Sequence, residues 1–408
     1  MALPLRKYEK VVGKEEIDDI LALSEKLRGK RIQHINSTAV GGGVAEILAR
    51  MVPLLNEVGI RTTWNVIKGG GDFFKVTKAF HNALHGKSEK IDDKMLDIYL
   101  RNNEVNAENM NIDADFVFIH DPQPAALINT AKRKSSKWIW RCHIDVSKPQ
   151  SNVWRFLKKF IKGYDAAIFS TPFFARKDLS IRQFLVPPSI DPFSEKNREI
   201  SENDVQKVID KYDIDPNRPI ITQISRFDRL KDPLGVIQAY RIVKRHMDCQ
   251  LVLTGSFATD DPEGLEVYRE IHKMKRNDKD IHILVLPPFS DLEINALQRA
   301  STVILQKSIK EGFGLTVSEA LWKAKPVVAT ATGGITLQVK NGLTGCLVYS
   351  IEGAAYKIKY LINNPEFAKK LGTCGREYVR QNFLLTRHLR NYLTIMHAIE
   401  NESNVINL

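Results

Sequence analysis

The stretch SIKEGFGLTVSEALWKAKPVVATATGGI, residues 308–335, places a glycine loop and a helix-forming segment between two short β-branched runs. TVILQ (Thr302 to Gln306) precedes the glycines, a helix is expected from near Thr316, and PVVAT (Pro326 to Thr330) follows it. Strand, loop, helix and strand in that order form the unit from which parallel sheets are built. Within the loop, Glu311 and Glu319 bracket seven residues, and Gly312 and Gly314 let the main chain close on a ligand. The amides of Leu315 and Thr316 at the helix start would face an anion, with Phe313 in the turn before them. Glu319, about one turn in, is placed to accept hydrogen bonds from ribose hydroxyls, and Glu311 similarly from sugar hydroxyls. Two surface glutamates flanking a turn would fit poorly with so apolar and glycine-rich a setting.

The same alternation extends outward in both directions. In the first half the strand candidates are RIQHIN (Arg31 to Asn36), TTWNVI (Thr62 to Ile67), FVFIH (Phe116 to His120), WIWRCH (Trp138 to His143) and AAIFS (Ala166 to Ser170). In the second they are PIITQIS (Pro219 to Ser225), CQLVLTG (Cys249 to Gly255) and IHILVLP (Ile281 to Pro287), besides the two runs above. The chain has 408 residues, and single cores tend to split beyond ~250, so two domains are expected. FLVPPSIDPFSEKN (Phe184 to Asn197), with three prolines, reads as the linker. The fold class predicted is α/β, two Rossmann-like doubly wound domains facing a central cleft. Residues 1–188 form the first and 189–383 the second, and a terminal helix, about 384–408, is expected to complete the first, although periodicity does not dictate its destination. Ligands of such sheets bind beyond the carboxyl ends of the strands, so the loops there are the places to look for chemistry.

Composition narrows the function. Hydrophobic residues are 43% and charged residues 26%, which is ordinary for a globular chain without low-complexity tracts. No apolar run approaches the ~20 residues that cross a bilayer, and MALPLRKYEK lacks a signal-peptide core, so no membrane contact and a cytoplasmic location are expected. Cys142, Cys249, Cys346 and Cys374 lie far apart, suggesting neither zinc nor disulfides. A net charge of +12 favours anionic partners. With the basic residues scattered and no aromatic-interleaved or helix-turn-helix signature, no nucleic-acid partner is expected.

Three further loops follow strands. NSTAVGGGVAEIL runs a strand through Gly41, Gly42 and Gly43 into a helix, which suits close approach to a phosphate and equally suits a tight turn. The dinucleotide pattern fails because Glu46 stands where its third glycine belongs, and GKS at 86–88 fails as a P-loop because His81 occupies the earlier glycine position. SRFDRLKDP offers Ser225, Arg226 and Lys231, and its two cations could neutralise a departing diphosphate or form an ordinary solvated loop. HDPQP (His120 to Pro124) and RCHID (Arg141 to Asp145) end neighbouring strands with groups suited to a polyhydroxy ligand.

Arg226, Lys231, the Glu311/Glu319 pair and the GGG loop together resemble the retaining GT-B glycosyltransferases of the glycogen-synthase and sucrose-synthase type, glycosyltransferase family 4. The resemblance covers nearly the whole chain. The phrases NST, GGGVAEIL, FHNALHG, HDPQPAALI, WRCHID, PPSIDP, ITQISRFD and GFGLTVSEA are similar to trehalose glycosyltransferring synthase and the related retaining trehalose phosphorylases. The resemblance implies reversible formation of trehalose, through an α,α-1,1 bond, from free glucose and ADP- or UDP-glucose. It implies that Gly42 and Gly43 contact the diphosphate, that Arg226 and Lys231 bind its oxygens, and that Glu319 holds the ribose. Glu311 and the backbone from Gly312 to Thr316 would hold glucose and phosphate, with His120 near the reacting carbon. Asp121, Arg141, His143 and Asp145 are the acceptor candidates, and Pro287 to Phe289 the candidate base contact. Asp232 departs from the pattern, since many relatives carry glycine after the lysine.

Retention by double displacement needs a carboxylate pair about 5 Å apart, and the sequence offers no evident one. A cationic cradle favours a front-face route in which the departing phosphate oxygen receives the acceptor proton, with domain closure excluding water. No resident cofactor or metal is expected, and magnesium would arrive with the nucleotide. The rival activities are a phosphorylase using α-glucose 1-phosphate and a non-catalytic nucleotide-sugar sensor. The motifs leave the oligomeric state open, a homodimer included.

Overall fold

The computed structural model describes residues 4–40, 42–130, 135–255 and 263–401. The chain divides into two compact units, Met1–Ser189 with Leu385–Leu408, and Ile190–Leu384. Among the described residues, no helix is long and apolar enough to cross a membrane.

The first unit is built on β1 (Arg31–Asn36), β2 (Arg61–Val66), β3 (Phe116–His120), β4 (Lys137–Cys142), β5 (Ala166–Phe169) and β6 (Arg182–Leu185). They pair in parallel in the order β2-β1-β3-β4-β5-β6. β3, FVFIH, is buried at all five positions, the mark of a parallel strand covered on both faces. β2 sits at the edge, which explains its exposed and half-buried polar residues. The register sets His34 beside Phe118, Phe118 beside Ile139 and His120 beside Arg141. Because side chains alternate along a strand, His34, His120 and Arg141 therefore share one face of the sheet. On that face the helix Leu385–Glu400 stacks Tyr392 against Phe118, with ring centroids 5.2 Å apart. Arg390 anchors the same helix through Glu16 at 2.9 Å.

β6 corrects the expected linker, since Phe184 and Leu185 belong to a strand. The run RQFL is short and opens on arginine, so its own pattern is weak. It is held by parallel pairing with β5, and Val186 N–H continues the ladder to Phe169 O at 2.8 Å.

The second unit contains β7 (Ile220–Ile224), β8 (Gln250–Gly255), β9 (Ile281–Val285), β10 (Val303–Gln306), β11 (Val327–Thr330) and β12 (Cys346–Val348). Their parallel order is β12-β11-β10-β7-β8-β9. The three-residue β12 was not anticipated from its sequence; it extends the edge through pairing with β11. The order reverses between β10 and β7, so the loops after these two strands lie side by side at the switch point where such sheets bind ligands. Helices cover the strands, and Cys249 and Cys346 are buried in this core, as Cys142 is in the other; Cys374 is half-buried.

Candidate active site

In the second unit, β7 delivers the loop that carries Arg226 and Lys231. Asp228 caps the turn Arg229–Lys231 by accepting Leu230 N–H at 2.7 Å. Gln223 near the end of β7 then ties this loop to the one after β10. Its amide donates to Lys231 O and its carbonyl accepts Lys307 N–H, both at 2.9 Å. Ile309 N–H adds a bond to Leu230 O at 2.7 Å. With the loops clamped, Lys231 Nζ lies 2.5 Å from Glu311 Oε2, which also accepts Ser308 Oγ–H at 2.9 Å. Both partners are largely enclosed, at 17% and 9% side-chain exposure. Arg226 stands apart from them, 46% exposed and 3.7 Å from Asp228. Ser225 continues the strand end with N–H to Thr254 O at 3.0 Å.

The backbone from Gly312 to Thr316 folds around Glu311. Gly314 has φ +83° and is the N-cap of the helix Leu315–Trp322; a side chain there would be strained and would press on Glu311 Cγ at 3.2 Å. Gly334 lets the following loop rest on this turn, since a Cβ would sit 2.4 Å from Gly312 O. Gln338 donates to Phe313 O at 2.5 Å and accepts from Ser318 Oγ–H, while Thr316 Oγ1–H donates to Gln306 Oε1 at 3.1 Å. Glu319 is enclosed one turn along the helix, with Gln298 Nε2 3.4 Å and Lys196 Nζ 3.9 Å from its oxygens. Lys323 hydrogen-bonds Asn197 Oδ1 at 3.1 Å and Glu319 O at 3.2 Å, and burial pushes its ammonium down to about 7. Phe289, in the proposed base loop, is exposed and has φ +67°.

The geometry of Asp232 accounts for its place where the family resemblance led to the expectation of glycine. Its backbone lies in the left-handed region at φ 48°, ψ 51°, where glycine is most at ease and aspartate is among the better-tolerated alternatives. Its carboxylate accepts Gly235 N–H at 3.1 Å as the N-cap of the helix Pro233–Lys244, and it also pairs with Lys307.

In the first unit, Gly42 adopts φ +90° and caps the helix Gly43–Glu57, while Gly41 lies outside the described residues. Beyond β3, Asp121 also has positive φ, +64°, which turns its carboxylate back to accept His143 N–H at 2.7 Å. Desolvation pushes that carboxyl up to about 6, against the lowering by the His143 N–H and by Arg141. Arg141 is fully buried and donates to Val186 O at 2.7 Å; Nε and Nη1 have no hydrogen-bond partner among the described residues. Asp145 is nearly enclosed and accepts Ser147 N–H at 2.9 Å. His120 bridges two other histidines, with Nδ1 3.0 Å from His143 Nε2 and Nε2 3.0 Å from His34 Nδ1.

Thus the structure gathers Lys231, Glu311 and the Gly312–Thr316 backbone in one unit, and His120, Asp121, Arg141 and His143 at adjacent strand ends in the other. It adds the buried amides Gln223, Gln298, Gln306 and Gln338, which sequence reading missed because a glutamine inside an apolar strand or helix carries no spacing signal. His34 was missed for a related reason, lying inside the run RIQHIN.

Comparison with known proteins places these features in context. Residues 34–176 match the model of the trehalose synthase N-terminal domain, and residues 204–378 that of glycosyl transferases group 1. The chain is 45% identical to the trehalose synthase of Pyrococcus horikoshii, covering 97% of this chain and 96% of that protein. It is 41% identical to the trehalose synthase of Rubrobacter xylanophilus, over 96% of each. Among solved structures, trehalose-6-phosphate from E. coli bound with UDP-2-fluoro glucose superposes with a TM-score of 0.73 over 92% of this chain and 99% of that one, at 13% identity. At that identity the likeness concerns the fold, two parallel-sheet α/β domains of GT-B type.

Proposed function

Since this chain belongs to the trehalose synthase family, and is therefore a hexosyltransferase of trehalose-related glycosyl transfer, we propose that it makes trehalose from a nucleoside diphosphate glucose and free glucose. The linkage is α,α-1,1, the donor configuration is retained and the reaction is reversible. The observation that carries this reading is the 2.5 Å contact of Lys231 with Glu311 at the switch point of the second sheet. It sets a cation for the leaving phosphate beside a carboxylate able to hold glucose hydroxyls, with helix amides directed at the same turn.

In this reading Arg226 and Lys231 take up the charge that grows on the departing diphosphate, each contributing ~3 kcal/mol to the transition state as preorganised charges do. Glu311 and the amides from Gly312 to Thr316 hold glucose and phosphate, Glu319 binds ribose, and the Gly42 and Gly43 amides contact the diphosphate. Asp121, Arg141, His143 and Asp145 serve the acceptor side, with His120 near the transferred glucose. Asp121 and Asp145 each already accept a backbone N–H. With no evident carboxylate pair in the sequence, the reading takes a front-face route in which the anomeric C–O bond to phosphate breaks as the acceptor oxygen bonds to the same face, its proton passing to the departing oxygen. The cations supply the charge, so the reading assigns no step to a resident cofactor and is compatible with magnesium carried by the nucleotide.

The test is to incubate the purified protein with glucose and ADP-glucose, UDP-glucose or α-glucose 1-phosphate and to identify the disaccharide. Trehalose from a nucleotide donor is expected. Trehalose from glucose 1-phosphate alone would establish the phosphorylase instead, and donor binding without turnover would indicate a sensor.

A further inference from the structure

Three imidazoles form a chain inside the first unit, His34 to His120 to His143, with nitrogen–nitrogen distances of 3.0 Å at both joints. Each joint needs one ring to donate and the other to accept. A neutral imidazole carries one ring proton, so the two bonds must run in the same sense, both outward to His143 or both inward to His34. Burial favours the neutral rings, pushing His34 down to about 3 and His120 and His143 well below the ordinary histidine range. Arg141 from β4 and His388 from the terminal helix act in the same direction, and Tyr392 of that helix lies beside His34 with ring centroids 6.2 Å apart. Among the described residues no group of three or more His, Cys, Asp or Glu is arranged to hold a metal ion. These nitrogens face one another rather than a common point.

The inner end selects the sense. His34 is fully buried, stacked on Phe118 at 4.9 Å, and among the described residues its Nε2 has no hydrogen-bond partner. With the bonds running outward that nitrogen is a bare lone pair, whereas running inward it becomes an orphaned N–H. Orphaned buried donors are the rarer and costlier arrangement. Outward bonding puts a proton on His120 Nδ1 and leaves His143 Nε2 as acceptor, so the proton of His143 must sit on Nδ1, at the half-buried end of the chain.

We propose that the buried inner end of this histidine chain fixes His143 as the Nδ1–H tautomer, so that this strand end presents a neutral hydrogen-bond donor, not a general base, to a sugar hydroxyl oxygen. The sugar in this statement rests on the function proposed above, while the tautomer does not. Ring-nitrogen NMR of the full-length protein labelled with 15N-histidine separates the two. In the wild type, His120 and His143 should both be protonated at Nδ1 and bare at Nε2. His34→Asn keeps an N–H near the position of Nδ1 and should preserve that pattern. His34→Phe keeps the stacking but makes His120 Nε2 the buried inner end, where a bare nitrogen is again favoured over an orphaned N–H, so His143 should keep its Nδ1 proton. In assays His143→Phe should raise KM for the acceptor sugar about tenfold, the worth of one hydrogen bond, with kcat within about twofold, and His143→Asn, which keeps an N–H near the position of Nδ1, should restore it. His143 protonated at Nε2 in the wild type, or converted to a mixture of tautomers in a folded His34→Phe, overturns the proposal. The wild-type spectrum decides alone should His34→Phe not fold. Tautomers as stated with an unmoved KM would uphold the tautomer and overturn the sugar contact.

Discussion

In the second unit a lysine and a glutamate meet at 2.5 Å, charge against charge, with Arg226 open to solvent nearby. In the first, His34, His120 and His143 meet at 3.0 Å with burial favouring the uncharged form, and the Asp121 carboxyl is pushed up to about 6. Both regions lie at the carboxyl ends of parallel strands, yet they ready polar groups by opposite means. A paired cation remains charged and can exchange its internal carboxylate for an anionic ligand. A desolvated imidazole chain excludes charge and instead fixes which nitrogen holds the proton. In the reaction proposed above, charge separation on one reactant and recognition of a neutral polyol on the other would be divided between two copies of one fold plan.

The contrast breaks most readily at Lys231. Lys231→Ala leaves Glu311 with Ser308 and, among the described residues, no other ion-pair partner, and in the proposed reaction should lower kcat by about 100-fold or more, corresponding to ~3 kcal/mol of lost transition-state stabilisation. Arg226→Ala should also reduce turnover, by about 100-fold, with a small effect on the melting temperature, because its contact with the buried Asp228 is long and its own guanidinium is half exposed. Initial rates beside thermal melts check both, and near-normal turnover in either variant would remove that residue from the charged cradle.

Gly334→Ala probes the same region through its backbone. The new Cβ would lie 2.4 Å from Gly312 O and 2.6 Å from Phe313 Cα, atoms that cannot yield without moving the turn beneath Glu311. A fall of about tenfold in kcat/KM for the donor is expected, with destabilisation on the order of 2 kcal/mol by urea unfolding. A variant with unchanged donor KM would show that the turn does not need its present shape.

The neutral region is sharpened by pH. A carboxyl raised from 3.8 to about 6 holds its proton in the folded state over a range where the unfolded chain has released it. Its contribution to stability is therefore greatest in acid and falls as pH rises from about 4 to 6. Asp121→Asn suits the same positive φ and can still accept the His143 N–H, but it does not titrate. The wild-type minus variant difference in unfolding free energy should decline across that interval by on the order of 2 kcal/mol. A flat difference would mean that Asp121 is ionised in the folded protein as easily as in water.

Much of this architecture was legible because long parallel strands announce themselves. FVFIH and PIITQIS are continuous β-branched or aromatic runs, as strands buried on both faces must be. RQFL and CLV were not legible, since such short strands are specified by the partner they pair with. Lys231 and Glu311 could each be singled out by their loops, but their contact spans 80 positions in sequence and depends on β7 lying beside β10. His34 was hidden more deeply. Nothing in RIQHIN distinguishes it from a core residue until the register of β1 with β3 places it on the face of His120.

Asp232 offers the smallest effect and the finest test of the charged region. Replacing it with glycine relieves a left-handed backbone, a gain of about 1 kcal/mol at most for an aspartate. Against this stand the cap on Gly235 N–H, worth a few tenths when glycine replaces aspartate, and the part-buried pair with Lys307. These terms nearly offset, so Asp232→Gly should change stability by less than about 1 kcal/mol. Its electrostatic consequence has a definite sign. Losing the carboxylate leaves Lys307 without that counter-charge on the loop next to Lys231, so the local potential becomes more positive and the donor KM should fall about two- to threefold at low salt. Added salt should reduce the difference, because screening weakens a longer-range field more than a hydrogen bond. A donor KM that rises, or a change indifferent to salt, would mean that Asp232 acts by holding the loop and not by tempering its charge.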